Sequence, residues 1–207
     1  VPFTTLIGMS LSGHFGRRVL ELLREAGAQN VIATTRTPET LADFSAQGVI
    51  VRHADFDDPA TLVSAFAGAD RLLLISTGDA GQGMRRFMQQ VHAVKAAEDA
   101  GVKHVVYTSL TNPDDTPILL APDHRGTEAA IAASAMSWTI LRNNVYADTL
   151  VMSLGGAIQM GKLFGAGHDG KTGYVTREDC ARAAAAALLD SFDRRRVLDI
   201  TGPEALS

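Results

Sequence analysis

Phe3-Thr4-Thr5-Leu6-Ile7-Gly8 runs into Met9-Ser10-Leu11-Ser12-Gly13-His14-Phe15-Gly16 and then into Arg17-Arg18-Val19-Leu20-Glu21-Leu22-Leu23. An apolar, β-branched run passes through a loop of small residues into an amphipathic pattern. This is the layout of a dinucleotide-binding strand–turn–helix, with Ser10 at the first glycine position and Gly13 and Gly16 at the other two. Such a turn aims backbone N–H groups from a helix N-terminus at a pyrophosphate. Ser10, Ser12, Gly13, His14, Phe15 and Gly16 therefore form a candidate phosphate cradle. The plainer alternative is a tight turn that lets strand and helix pack closely. A Cβ at Ser10 in such a turn costs on the order of 1 kcal/mol, while its hydroxyl is itself a partner for phosphate.

Outward from this turn, one junction recurs. Ala26-Gly27-Ala28-Gln29-Asn30 leads into Val31-Ile32-Ala33, Gln47-Gly48 into Val49-Ile50-Val51, Ala67-Gly68-Ala69-Asp70-Arg71 into Leu72-Leu73-Leu74-Ile75, and Ala100-Gly101-Val102-Lys103-His104 into Val105-Val106-Tyr107. Each time a helical pattern ends at a glycine suited to the left-handed C′ position, and a short apolar run follows. Phe15, Val19, Leu22 and Ala26 share one helical face, and Phe87, Val91 and Val94 another. Short, continuously apolar strands suit a parallel sheet covered on both faces. The pattern predicts an α/β fold, a doubly wound parallel sheet of Rossmann type with helices on both faces. Further along, helices are expected over 128–136, 145–158 and 179–189, and strands over 138–141 and 197–201. We divide the chain into a dinucleotide-binding domain over 1–143 and a substrate-side region with the last strand over 144–207, continuous with the same domain.

Composition narrows the function. The 207 residues are 46% hydrophobic and 20% charged, enough apolar material for a sizeable core. A net charge of −4 argues against nucleic-acid binding. Arg194-Arg195-Arg196 is the densest basic run and reads as a solvated turn before the last strand. The one cysteine, Cys180, allows no internal disulfide, which fits a cytoplasmic protein, and it reads as a buried residue of an alanine-rich helix. No apolar run is long enough to span a bilayer, and no secretory signal is seen. The chain starts without Met, as a trimmed or processed terminus would. The six histidines lack metal-site spacing, and there is no Gly-x-Ser-x-Gly elbow.

NAD-selective sites place an acid after the second strand to hold the ribose hydroxyls. Here that strand, Val31 to Thr35, ends at Arg36-Thr37-Pro38. Arg36 can hold a 2′-phosphate through its planar fork, which favours NADP(H) over NAD(H); otherwise it is a surface arginine ahead of a helix. Asp55 follows the third strand, where ligands of open sheets collect, and is a candidate for the adenine amine or for a cap or turn role. Asp57 or Asp58 reads as the cap of the helix around 60–66.

These residues, together with Leu73-Leu74-Ile75-Ser76, Gly81-Gln82, Tyr107-Thr108-Ser109-Leu110, Asp123-His124, Thr127-Glu128, Leu141-Arg142-Asn143-Asn144-Val145-Tyr146, Gly167-His168-Asp169-Gly170-Lys171 and Thr176-Arg177-Glu178-Asp179-Cys180-Ala181, carry a likeness over nearly the whole chain. The sequence resembles the NmrA-like atypical short-chain dehydrogenase/reductases, nearest to bacterial NAD(P)H:quinone oxidoreductases of type 2 and triphenylmethane dye reductases. It departs from them at Ser10 and at the end, where the family continues into a small C-terminal substrate lobe that is mostly missing here.

The resemblance implies hydride transfer from NADPH to a quinone-like small molecule. Ordinary short-chain dehydrogenases use Tyr with Lys four residues on, but Tyr107, Tyr146 and Tyr174 are followed at that spacing by Thr111, Leu150 and Glu178. Quinone reduction needs chiefly that the acceptor ring be held against the nicotinamide. Ile75, Ser76 and Thr77, with Ser109 opposite, are candidates for the nicotinamide wall or are simply strand ends. Asn143 and Tyr146 follow the sixth strand, and Tyr146 can donate to a quinone oxygen or sit half-buried with a wet hydroxyl. His124, read as preceding a helix, is a candidate proton source or amide-orienting group, or a helix-start histidine bonded to backbone. The competing functions are a non-catalytic NADP(H)-sensing regulator and, behind it, a relative of nucleoside-diphosphate-sugar epimerases. A homodimer through exposed helices suits the class.

Overall fold

The computed structural model describes residues 5–8 as backbone, and residues 13–76, 84–162 and 170–206, the Ser153 side chain aside. Among the described residues seven strands form one sheet: β1 (Thr5–Gly8), β2 (Val31–Thr35), β3 (Ile50–His53), β4 (Arg71–Leu74), β5 (His104–Leu110), β6 (Ser137–Asn143) and β7 (Arg195–Ile200). Every pairing is parallel and the order is β3-β2-β1-β4-β5-β6-β7. The expected doubly wound fold is found. Strand order reverses between β1 and β4, which opens a crevice at their carboxyl ends.

Helices α1 (His14–Glu25), α2 (Ala42–Ser45), α3 (Leu62–Phe66), α4 (Arg85–Asp99), α5 (Ala121–Ala133), α6 (Ala147–Met160) and α7 (Arg177–Leu189) connect the strands. α1 packs on α7, and α4 packs on α3 and α5. Arg18 ties α1 to α7 through two bonds to Glu178, 2.7 and 3.1 Å long. The central strands are buried on both faces, with Leu72, Leu73, Leu74, Val105 and Val106 fully enclosed. At the four recurrent junctions Gly27, Gly48, Gly68 and Gly101 all have φ between 73° and 90°, the left-handed conformation expected there.

Three expectations need correction. On α1, Val19 is buried and Phe15 and Leu22 pack partly buried against the core as expected, but Ala26 is exposed, and Gly16, Leu20 and Leu23 complete the buried face. α5 begins at Ala121 instead of Glu128, because Pro122 suits a first helical turn, so His124 lies inside the helix. Arg195 and Arg196 belong to the edge strand β7, where Arg196 pairs with Asp190 at 2.7 Å and stacks on Phe192. Cys180 is buried on α7 as expected. Among its described side chains α6 has no buried residue, and Val151, Met152 and Ile158 are each more than two-thirds exposed. Among the described residues no helix is long and apolar enough to cross a membrane, and no cluster of His, Cys, Asp or Glu is placed to hold a metal.

Candidate functional site

The crevice is bordered by the segments that leave the carboxyl ends of the strands. Ser10 and Ser12 follow β1 and Thr77 follows β4, and all three lie outside the described residues. Gly13 is the N-cap of α1, in extended conformation, and Gly16 is buried. Among the described residues no side chain caps α1, and no acid occupies its first turn. Its leading N–H groups thus face the crevice side with the positive end of the helix dipole and no built-in acceptor from a capping side chain. His14 and Phe15 open this helix.

On the flank beyond β1, Arg36 directly follows β2, is exposed, and forms no hydrogen bond or salt bridge among the described residues. Its charge reaches Asp57 and helps lower the Asp57 pKa. Asp55 Oδ1 accepts from the Asp57 N–H at 3.0 Å, so the turn role foreseen for Asp55 is realised and its second oxygen stays outside that bond. Asp58 caps the short 3-10 turn at Pro59–Thr61 by accepting from the Ala60 N–H. Asp57 instead reaches α4. Arg85 donates to both its oxygens, at 2.9 and 2.6 Å, and Gln89 donates at 2.8 Å. These bonds, Arg85 foremost, pull the Asp57 carboxyl down to about 2.

The next two positions of α4 grip the other side. Arg86, 1% exposed, donates to Asp123 at 3.1 Å and to His124 Nε2 at 2.9 Å. A guanidinium only donates, so Nε2 accepts and the ring proton sits on Nδ1. Nδ1–H then donates to the Tyr107 oxygen at 2.9 Å, and the Tyr107 hydroxyl donates to Gln90 at 2.6 Å. Burial, with Arg86 adding to it, pushes His124 down to about 3, and burial pushes Tyr107 up. His124 is therefore a neutral ring with both nitrogens engaged. α4 and α5 approach closely here because Gly126 faces Phe87, and a Cβ on Gly126 would meet that ring at 2.5 Å.

At the tips of β4 and β5, Ile75 is buried and the Ser76 N–H donates to Thr108 Oγ1 at 2.9 Å. Ser109 does not oppose Ser76. It lies on the other face of β5, where its hydroxyl donates to Glu128 at 2.6 Å, and Arg142 clamps the same carboxylate with bonds of 3.1 and 2.6 Å. At the end of β6, Asn143 Nδ2 donates to the Tyr146 hydroxyl at 3.1 Å, while Asn143 Oδ1 is buried without a partner among the described residues. Arg177 lies over the Tyr146 ring at 5.4 Å, and burial raises the Tyr146 pKa. The tyrosine thus keeps its proton and has its donor capacity free of Asn143.

Sequence reasoning missed Arg85, Arg86, Gln89, Gln90 and Thr108. Polar residues at both i and i+4 in the first turns of α4 were the available signal, since one pair grips the loop after β3 and the other grips α5 and β5.

Comparison with known proteins agrees with this architecture. Residues 12–191 match a family described as NAD(P)H-binding. Quinone oxidoreductase 2 of Escherichia coli K12 is 37% identical over 195 residues, covering 94% of this chain and 67% of that protein. Among solved structures, the E. coli NADPH-dependent quinone oxidoreductase QOR2 complexed with NADPH superposes with a TM-score of 0.89 at 36% identity, over 98% of this chain and 70% of that one. The Citrobacter sp. triphenylmethane reductase complexed with NADP(H) gives 0.87 at 33% identity, over 97% and 70%. The chain thus spans about two-thirds of the length of these relatives.

Proposed function

The chain belongs to the NAD(P)H-binding family and, within it, to the NmrA-like atypical short-chain dehydrogenase/reductases, and on that premise we propose that it is an NADPH-dependent reductase of quinones or similar electrophilic acceptors. The observation that carries this reading is the charge pattern of the crevice. A helix start with no acid in its first turn and no capping side chain among the described residues borders it, and Arg36 stands where an NAD-selective site would carry an acid. Two buried carbonyl oxygens, on Gln89 beside the loop after β3 and on Asn143 at the end of β6, have no donor among the described residues. These features suit a phosphorylated dinucleotide.

In this reading Ser10, Ser12, Gly13, His14, Phe15 and Gly16 hold the pyrophosphate, Arg36 holds the 2′-phosphate and Asp55 flanks the adenine. Ile75, Ser76 and Thr77 wall the nicotinamide. NADPH, when bound, supplies the hydride. Tyr146, held by Asn143 and protonated at neutral pH, donates to the acceptor oxygen. His124 acts as a positioning group that locks α4 to α5 and β5, because a buried neutral ring is no proton source at physiological pH. Ser109 acts likewise through Glu128 and Arg142. Residues 1–143 form the dinucleotide-binding part and 144–207 the acceptor side. The partner is the small-molecule acceptor, with self-association through exposed helices as the assembly to test.

The experiment is NADPH oxidation over a panel of quinones, run beside direct NADPH titration. Saturable turnover with at least one quinone is expected. Binding without turnover on any acceptor would point to an NADP(H)-sensing regulator, and absence of binding would overturn both.

A further inference from the structure

Gln89 sits one helical turn beyond Arg85 on α4 and is 8% exposed. Its Nε2 donates to Asp57 Oδ1 at 2.8 Å, and Arg85 holds the same carboxylate by two bonds. An ionised carboxylate has no proton to give, so the amide must turn its NH2 toward Asp57. Its Oε1 is thereby fixed as an acceptor, and that oxygen is buried with no donor among the described residues. A buried carbonyl left unmet is unfavourable and calls for a partner.

The surroundings narrow the partner's chemistry. The Asp55–Asp57 turn follows the carboxyl end of β3, and the charge of Arg36, at the end of neighbouring β2, reaches Asp57. This is the flank that the reading above gives to the adenosine half of the cofactor. The base carries one amino group there, at C6 of the adenine. We propose that Gln89 Oε1 accepts a hydrogen bond from that exocyclic amine, with Asp57 acting as a positioning residue that sets the amide's orientation. The inference rests on the dinucleotide reading and adds to it a residue that selects the base.

The test compares NADPH with its hypoxanthine counterpart, in which a carbonyl oxygen replaces the C6 amine and the ribose hydroxyls and phosphates are unchanged. Dissociation constants are read from nicotinamide fluorescence. Wild-type protein is expected to bind NADPH about tenfold more tightly, the worth of one neutral hydrogen bond set against an opposed carbonyl. Gln89→Met is expected to bring the ratio close to one. Arg85→Ala, which loosens the same carboxylate but keeps Oε1, is expected to preserve it. Equal wild-type affinity for the two nucleotides, or a ratio that survives in Gln89→Met, overturns the assignment and leaves the dinucleotide reading standing. Failure to bind either nucleotide overturns both.

Discussion

Lowering the pH from 7 to 5 should destabilise this protein by roughly 4 kcal/mol through two histidines alone. His124 and His104 are 4% and 1% exposed. Burial pushes each down to about 3, aided at His124 by Arg86 and at His104 by Arg71 and Arg196. His104 spends its ring nitrogens on Ser137 and Thr139, at 2.8 and 3.0 Å. A ring held neutral in the native state takes up its proton only on unfolding. As pH falls through the unfolded value near 6.5, unfolding therefore binds protons and stability declines. It is full above that value and falls progressively until about pH 3, where the native rings themselves titrate. Between pH 7 and 5 each ring contributes about 2 kcal/mol of loss. The assay is urea unfolding across this range. His124→Gln should start less stable at pH 7, because the Arg86–Tyr107 link is broken, yet lose only about half as much on acidification. A flat stability profile down to pH 4, or a pH dependence unchanged by His124→Gln, would refute the reasoning.

Other substitutions probe separate links. Arg36→Ala should weaken NADPH binding ten- to a hundredfold, the loss of about 1.5–3 kcal/mol from a charge-assisted contact, and leave NADH nearly unaffected; equal losses would remove the 2′-phosphate assignment. Tyr146→Phe should cut quinone turnover by about a hundredfold at unchanged NADPH affinity, and unaltered turnover would exclude it as the proton donor. Thr176 caps α7 by accepting from the Asp179 N–H at 3.0 Å and donating to its carboxylate at 2.7 Å. Thr176→Ala should cost about 1 kcal/mol in thermal unfolding, and no loss would show that the cap is dispensable.

The parts of the fold that were legible rest on local chemistry. A glycine that ends a helix in the left-handed region announces itself, and all four did. The α1 face was read only in part, because apolar periodicity counts large side chains and passes over Gly16, which is buried and has none. Arg194-Arg195-Arg196 read as a turn because a central strand would exclude such charge. β7 is an edge strand, which tolerates it, and there Arg195 caps the Ser134 carbonyl while Arg196 finds Asp190. The polar heart of the site was least legible. Arg86, Gln89 and Gln90 look like a solvated helix surface, and their partners Asp57, Tyr107 and His124 lie 17 to 38 residues away. Only the folded chain brings them together. Ser109 illustrates the same limit: its place at a strand tip was readable, but the face it presents was not.

Amide hydrogen exchange with and without NADPH tests the central claim, that the β1–β4 crevice is where the cofactor binds. Slowed exchange is expected across residues 5–17, 31–37, 50–58 and 71–76, with no change in the shallow groove at the other end of the sheet lined by Ala135, Met136, Ser137, Asp193, Arg194 and Arg195. Protection confined to that groove, or none anywhere at saturating NADPH, would contradict it.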